Sequence, residues 1–311
     1  MSNAKELQNR IKSVQDTMKI TNAMYMMSSM KLRKARNKLD NTKPFFESLQ
    51  MGITDVLLHY PDMEHMYFDN ANEDRDKIKK KAYIIVTGDK GMAGAYNHNV
   101  IKEALSRINK DDKLLIVGEL GRHAFSAMGY EVDPEFLFSA NNPSIHRARV
   151  ISETIIEMFD NDVIDEVNII FTYMVNSMKS ELRVEQLLPL KTHTFMKDSL
   201  LQKAMTERES EKTLEQIARE AEDWYQIYPT PRKLLTKIVR NYITGYIYGV
   251  LVEASASEEN ARMMAMQSAT DNARDMLSSL KIEFNRVRQA AITQEITEVI
   301  GGAKALKKAG K

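Results

Sequence analysis

Cysteine is absent from the 311 residues. That excludes disulfides, thiolate metal sites and cysteine nucleophiles, and it permits a reducing compartment. The six histidines are scattered, with no HxxxH or HxH pair, so no bound metal is expected. Aromatics make up only 7% of the chain against 28% charged residues. That balance suits long, two-faced helices better than a compact aromatic core. Charge of one sign is also missing: 44 Lys and Arg against 43 Asp and Glu leave a formal +1, with no acidic tail. Such a chain offers no field to nucleic acid, and none is expected as a partner. No apolar run opens the sequence, because Lys5, Glu6, Arg10, Lys12, Asp16 and Lys19 interrupt it, so no signal peptide is expected. The most apolar stretch, Leu234 to Val252, carries Lys237, Arg240 and Asn241, each costly in lipid. Its Gly245-x-x-x-Gly249 reads as close helix packing in water rather than a membrane dimer motif.

Proline is scarce where it matters. Residues 5 to 58 contain only Pro44, which is expected to bend or restart a helix, and Arg232 to about Ile300 contain none. In the first span Leu7, Ile11, Val14, Met18, Thr21, Tyr25, Ser28, Leu32, Ala35 and Leu39 recur at alternating steps of four and three, a heptad seam. Thr21 and Ser28 are small and polar, so the partner surface should be close or wet. In the second span Met266, Ala269, Ala273, Met276, Leu280, Phe284, Val287 and Ala291 form another seam, with one four-four step that shifts the winding, and Gly301-Gly302 should end it. Helices of roughly 80 and 100 Å follow at ~1.5 Å per residue. Neither can bury its stripe in a small domain, so the two should pair antiparallel and project as a stalk.

Between them the texture changes. Tyr83 to Thr87, Leu114 to Gly118 and Val167 to Met174 read as buried strands, with helices at Val100–Ile108, Glu119–Met128 and Ile145–Phe159. Alternation of this kind predicts an α/β unit with a largely parallel sheet. Leu182 to Leu190 adds an edge strand, where Pro189 is tolerated. The expected fold is therefore α/β plus a long antiparallel coiled coil, with a Rossmann-like domain inserted between N- and C-terminal helices. Expected boundaries are 1–58 for the first coiled-coil helix, 59–81 for a linker, 82–196 for the α/β foot, 197–231 for a charged helical connector and 232–311 for the second helix.

Four motifs invite chemistry. Gly88-Asp89-Lys90-Gly91-Met92-Ala93-Gly94 joins a strand to a helix, as phosphate loops do. Ala95-Tyr96 follows where a P-loop needs Lys-Ser/Thr, and the spacing is GxxGxxG, not GxGxxG, so a tight turn is the favoured reading. Lys31, Arg33, Lys34, Arg36 and Lys38 form either a solvated face or a contact with an acidic surface. Met24, Met26, Met27 and Met30 cannot all sit on one seam, so some must face outward. Glu258-Glu259 and Asp271 with Asp275 suggest acid–base pairs, but they are expected on exposed helix, where nothing shifts their pKa values.

Three blocks resemble the F-type ATP synthase gamma subunit family. They are Asn3-Ala4-Lys5-Glu6-Leu7 through Arg10-Ile11-Lys12-Ser13-Val14 and Thr17 to Met24, with Lys31 to Ala35; Thr87 to Gly94 with Asn97, Asn99 and Val100; and Ala256 to Met263, Ala269 to Ala273 and Asn285 to Glu298. The order is the family's, from one end of the chain to the other. Tyr25, Met26 and Met27 depart from the small residues usual there. The resemblance implies a rotor that is not itself catalytic, binds no cofactor and no metal, and couples ion flow to ATP synthesis or hydrolysis. Its implied partners are a ring of alpha and beta subunits, the epsilon subunit and a membrane c-ring. Membrane contact would be indirect, at the cytoplasmic face of a bacterial cell membrane. Met24, Arg33, Lys34, Arg262, Arg288, Gln289, Thr293, Glu295 and Glu298 match family positions tied to contact and coupling. Two other readings remain: a nucleotide-binding α/β enzyme with helical arms, and a static coiled-coil scaffold.

Overall fold

The computed structural model describes residues 2–60, 63–69, 80–192, 194–195 and 230–309. The connector expected at 197–231 lies outside them except at its last two positions. Two long helices, α1 (Ser2–His59) and α5 (Pro231–Ala309), enclose the remaining elements in chain order. The chain divides into two compact units, Met1–Met30 with Arg262–Lys311 and Lys31–Ala261.

In the first unit the two helices run antiparallel. Thr21 meets Thr270, and one turn earlier on α1 Met18 shares a cleft with Leu277 and Lys281, later on α5. Every α1 seam position expected from the heptad is buried or half-buried. On α5 the seam differs from the expected one. Met266, Thr270, Ala273, Leu277 and Leu280 are buried, at unbroken steps of four and three, while Met276 is exposed. A polar residue, Thr270, thus holds a seam position because it has a polar partner. Its hydroxyl lies 2.8 Å from that of Thr21, so one hydroxyl donates to the other, and the accepting one donates its own proton to a carbonyl of its helix, Met266 O for Thr270 or Met18 O for Thr21. Buried hydroxyls left unpaired would be costly, so this pair favours one axial register.

Neither expected helix break occurs. α1 passes through Pro44, which is exposed, and the Asp40 carbonyl it leaves without an N–H partner lies on the same solvated stretch. α5 passes through Gly301 and Gly302 to Ala309. Glycine ends a helix by adopting positive φ, which neither residue does.

The second unit is built on a four-stranded sheet of β1 (Lys81–Val86), β2 (Lys113–Val117), β3 (Glu166–Met174) and β4 (Ser180–Leu188), in spatial order β2-β1-β3-β4. β1 pairs in parallel with β2 and β3, and β4 is an antiparallel edge. Side chains alternate across it. Tyr83, Ile85, Leu114, Ile116 and Ile170 face a smaller core closed by α2 (Tyr96–Leu105) and α3 (Glu119–Ala127). Ile84, Val86, Leu115, Val117 and Ile169 face the main core with α4 (Ile145–Asp160), whose N-cap Ser144 accepts from Arg147 N–H. That core also takes Ile53 and Val56 from α1 and Leu235, Val239, Ile243 and Ile247 from α5. The apolar stretch at 234–252 is therefore sheet-covering helix. Among the described residues no helix is long and apolar enough to cross a membrane.

The paired glycines of that stretch do different things. A Cβ on Gly245 would lie 3.0 Å from the Phe46 ring of α1, so this glycine permits close helix approach. Gly249 meets nothing within 4 Å and borders an open cavity of about 270 Å³ beside Phe46, Phe171 and Tyr246. A mid-helix glycine costs about 0.5–1 kcal/mol relative to alanine. Gly249→Ala should therefore raise the melting temperature by roughly 1–4 °C, while Gly245→Ala should give no gain. Thermal melts of the two variants side by side check the contrast.

Candidate functional site

The glycine-rich turn after β1 is held from within. Met92 and Gly94 adopt positive φ, 62° and 56°, which reverses the chain into α2. Asn97 Oδ1 accepts the Gly88 N–H at 2.7 Å. The Asp89 carboxylate accepts from the backbone N–H groups of Glu119, Ala140 and Asn141, from Ser139 Oγ at 2.5 Å and from Asn141 Nδ2. The N-terminus of α3, where a phosphate could have docked, is thus occupied by the chain's own carboxylate. A nucleotide loop here loses its donors.

Burial pushes the Asp89 carboxyl up, but the Ser139, Ala140, Asn141 and Glu119 donors together outweigh it and hold the group below the ordinary aspartate range. A carboxyl with a depressed folded pKa stabilises the fold above its unfolded pKa. That stabilisation is lost as pH falls through the folded value. Asp89→Asn should lower stability at neutral pH and flatten its dependence on pH in the acid range. Denaturant unfolding between neutral and acid pH on both proteins checks this; parallel curves would contradict it.

Above the turn runs a buried helical segment rich in polar side chains. From Val250 to Asn260 every α5 residue except Ser255 is buried. Glu253 Oε1 accepts the Met174 N–H at 2.9 Å, Ser257 Oγ donates to Thr172 O at 2.9 Å, and Asn260 Nδ2 donates to Ser177 O at 3.0 Å. Tyr96 donates its hydroxyl to Ala254 O at 3.2 Å. Glu259 pairs with Lys31 of α1 at 3.0 Å. The Glu258 carboxylate lies so close to Gly88 that a Cβ there would sit 2.6 Å from Oε1. Burial raises the Glu253 carboxyl above its ordinary range, against the pull of the Met174 N–H and of Arg183 and Arg36.

These placements correct the expectation that Glu258 and Glu259 lie on exposed helix: both are 4% exposed. Gly88 packs against the Glu258 carboxyl and Lys31 against that of Glu259. Asp271 is half-buried and accepts from Gln267 and Arg274. Among the described residues no group of His, Asp and Glu could hold a metal ion. Glu253, Ser257 and Asn260 belong to no recognisable catalytic motif. Their one local signal is that polar residues interleaved with the small Ala254 and Ala256 mark a helix hemmed in on all sides.

The expected contact residues fall elsewhere. Arg33, Lys34, Arg288, Gln289, Thr293, Glu295 and Glu298 are exposed, Met24 is half-buried and Arg262 is buried. The five cations at 31–38 divide. Lys31 is paired, Arg36 reaches Met174 Sδ, and Lys38 donates to Asn142 Oδ1 and Pro143 O. Among the described residues Arg33 and Lys34 make no ion pair. The methionines divide likewise: Met26, Met27 and Met30 are 58%, 52% and 70% exposed. From Lys281 to Ala303 no side chain is buried, and Ile282, Ile292, Ile296, Val299 and Ile300 stand in solvent.

A sheet with one face covered by both long helices, and bare apolar and basic positions further along those helices, suits a mechanical or binding subunit. The chain belongs to the ATP synthase gamma chain family. It matches the family described as ATP synthase over residues 3–306. It is 42% identical over 309 residues to the ATP synthase gamma chain of Acetivibrio thermocellus, covering 99% of this chain and 100% of that one. It is 36% identical over 306 residues to a sodium-ion-specific ATP synthase gamma chain of Acetobacterium woodii, covering 98% and 99%. Its fold resembles a chain of the Tetrahymena thermophila mitochondrial ATP synthase central stalk and c-ring, with TM-score 0.53 at 20% identity over 80% of this chain and 99% of that one. A chain of the Euglena gracilis mitochondrial ATP synthase, in a structure of OSCP, F1 and c-ring, also gives 0.53, at 14% identity over 93% and 97%.

Proposed function

We propose that this chain is the non-catalytic rotor subunit of an F-type ATP synthase, turning inside a ring of alpha and beta subunits and driven at its α/β end by the c-ring, with the epsilon subunit beside it. The observation that carries the reading is the exposed apolar run on α5, Ile292, Ile296, Val299 and Ile300, on a chain matched to gamma chains almost end to end. A lone helix showing that much aliphatic surface to water calls for a partner. A sleeve formed by a ring of subunits supplies one without fixing the helix in a single rotational position.

The mechanism follows from asymmetry. Along α5 the exposed surface changes from the polar Arg288 and Gln289 to the aliphatic Ile292, Ile296, Val299 and Ile300, so the shaft is chemically uneven. Each subunit of a surrounding ring meets a different face and is biased toward a different state. A shaft that bound all states equally would shift none of them. At equilibrium the coupling is reciprocal, so ATP binding in the ring can drive the shaft backwards. Met24, Arg33, Lys34, Arg262, Arg288, Gln289, Thr293, Glu295 and Glu298 are the contact and coupling residues we assign. Attachment to the membrane is peripheral, through the c-ring at the cytoplasmic face of a bacterial cell membrane.

Reconstitution tests this reading. Alpha and beta subunits assembled with this chain should hydrolyse ATP in steady state and retain the chain through size exclusion, and assembly without it should give little turnover. Titrating the isolated chain with ATP or NAD should show no saturable binding. Saturable binding, with no association to alpha and beta, would favour a nucleotide-binding enzyme instead.

A further inference from the structure

We propose that the glycine-rich turn and the buried α5 segment Glu253–Asn260 form the joint through which torque passes between the sheet and α5, with Gly88 kept bare to seat the Glu258 carboxylate. The inference rests on the rotor reading. It accounts for a motif that nucleotide binding does not explain.

The geometry argues for a loaded joint rather than ordinary packing. An apolar core resists separation but is weakly directional, whereas hydrogen bonds fix angle. Here the bonds run from side chains of one helix to main-chain groups at the end of the sheet: Glu253 to Met174 N–H, Ser257 to Thr172 O and Asn260 to Ser177 O. Each can shift only if the strand end shifts. They sit on successive turns of α5, so they resist rotation of the helix about its own axis. The β1 side closes the grip, with Tyr96 bonded to Ala254 O and Gly88 against Glu258. Asp89 stiffens the seat by tying it to Ser139, Ala140 and Asn141. At the same level Lys31 links α1 to Glu259, so both long helices are held at one height. Buried carboxylates are costly in a site whose only task is stability.

The test is a double-mutant cycle on the full complex in membrane vesicles, with Gly88→Ala, Glu258→Ala and the pair. Two activities are read on each preparation: ATP hydrolysis with the ion gradient collapsed, where the joint carries little load, and ATP synthesis against a high ATP/ADP ratio, where it carries much. Gly88→Ala should leave unloaded hydrolysis near wild type and lower loaded synthesis about tenfold, the ratio expected when one buried charged contact is displaced. Removing the carboxylate should relieve the clash, so the pair should fall well short of the product of the single effects. Ser257→Ala, which only deletes a bond, gives the same direction at smaller size should Gly88→Ala fail to assemble. Equal losses in both activities, multiplicative effects, or full loaded synthesis in both Gly88→Ala and Ser257→Ala would overturn the joint. Vesicles lacking the chain that still synthesise ATP would overturn the rotor reading beneath it.

Discussion

Gly118→Ala should abolish folding of the α/β unit. Gly118 follows β2 with φ of +98°, and a Cβ built there lies 2.3 Å from Thr87 O and 2.8 Å from Thr87 Oγ1. The first contact is with backbone, so no rotamer change relieves it. Thr87 cannot retreat, because its N–H and hydroxyl both donate to Val117 O and its hydroxyl also accepts the Gly121 N–H. Gly118 itself is anchored by donating to Phe138 O. Strain of about 1–3 kcal/mol for a left-handed non-glycine residue adds to displacement of the central strand β1 from its neighbour β2, and totals above about 4 kcal/mol are exceptional for one substitution. Circular dichroism should show the long helices' signal reduced and no cooperative unfolding of the remainder. A variant melting within a few degrees of wild type would contradict the geometry.

The second large effect concerns turnover rather than folding. Arg288→Ala with Gln289→Ala should slow steady-state ATP turnover of the assembled complex about tenfold, while the isolated chain keeps its helix content and melting temperature. Both residues are exposed on α5 with no buried neighbour between 281 and 303, so the chain alone loses nothing when they go. Against a ring loop, charge-assisted hydrogen bonds of about 1.5–3 kcal/mol each could form and break once per step. Losing them alters a step rate by about tenfold or more. Turnover equal to wild type would leave simple solvation as the account of these two side chains. A lowered melting temperature would make them part of the coiled coil.

Local sequence determines an element only where no distant partner competes with it. The strands at Tyr83, Leu114 and Val167 were plain because short β-branched runs bounded by glycine or charge have few alternatives. The α1 seam was plain because nothing disturbs its heptad. The α5 seam runs through Thr270 rather than Met276, although hydrophobicity ranks Met above Thr. Only the facing Thr21 hydroxyl makes the polar residue the better seam position. Met66-Tyr67-Phe68 sat in a stretch read as polar linker, yet Tyr67 is fully buried and bonds Asp160, with Arg240 bonded to both. That triad joins three distant parts of the chain, which no local window reveals. The buried acids were harder still. Glu258 and Glu259 look solvated by any periodicity, because it takes the turn at Gly88 and the cation of Lys31 to make their burial tolerable.

A rotor must turn, and rotation of this chain is directly observable. Because it lacks cysteine, Met128→Cys, at an exposed position just past α3, gives a single attachment point for a bead, with alpha and beta subunits fixed to a surface. On adding ATP the bead should rotate continuously in one direction, stopping when ATP is withdrawn. A bead that stays fixed, or only fluctuates about one angle, on complexes that are hydrolysing ATP would contradict the rotor.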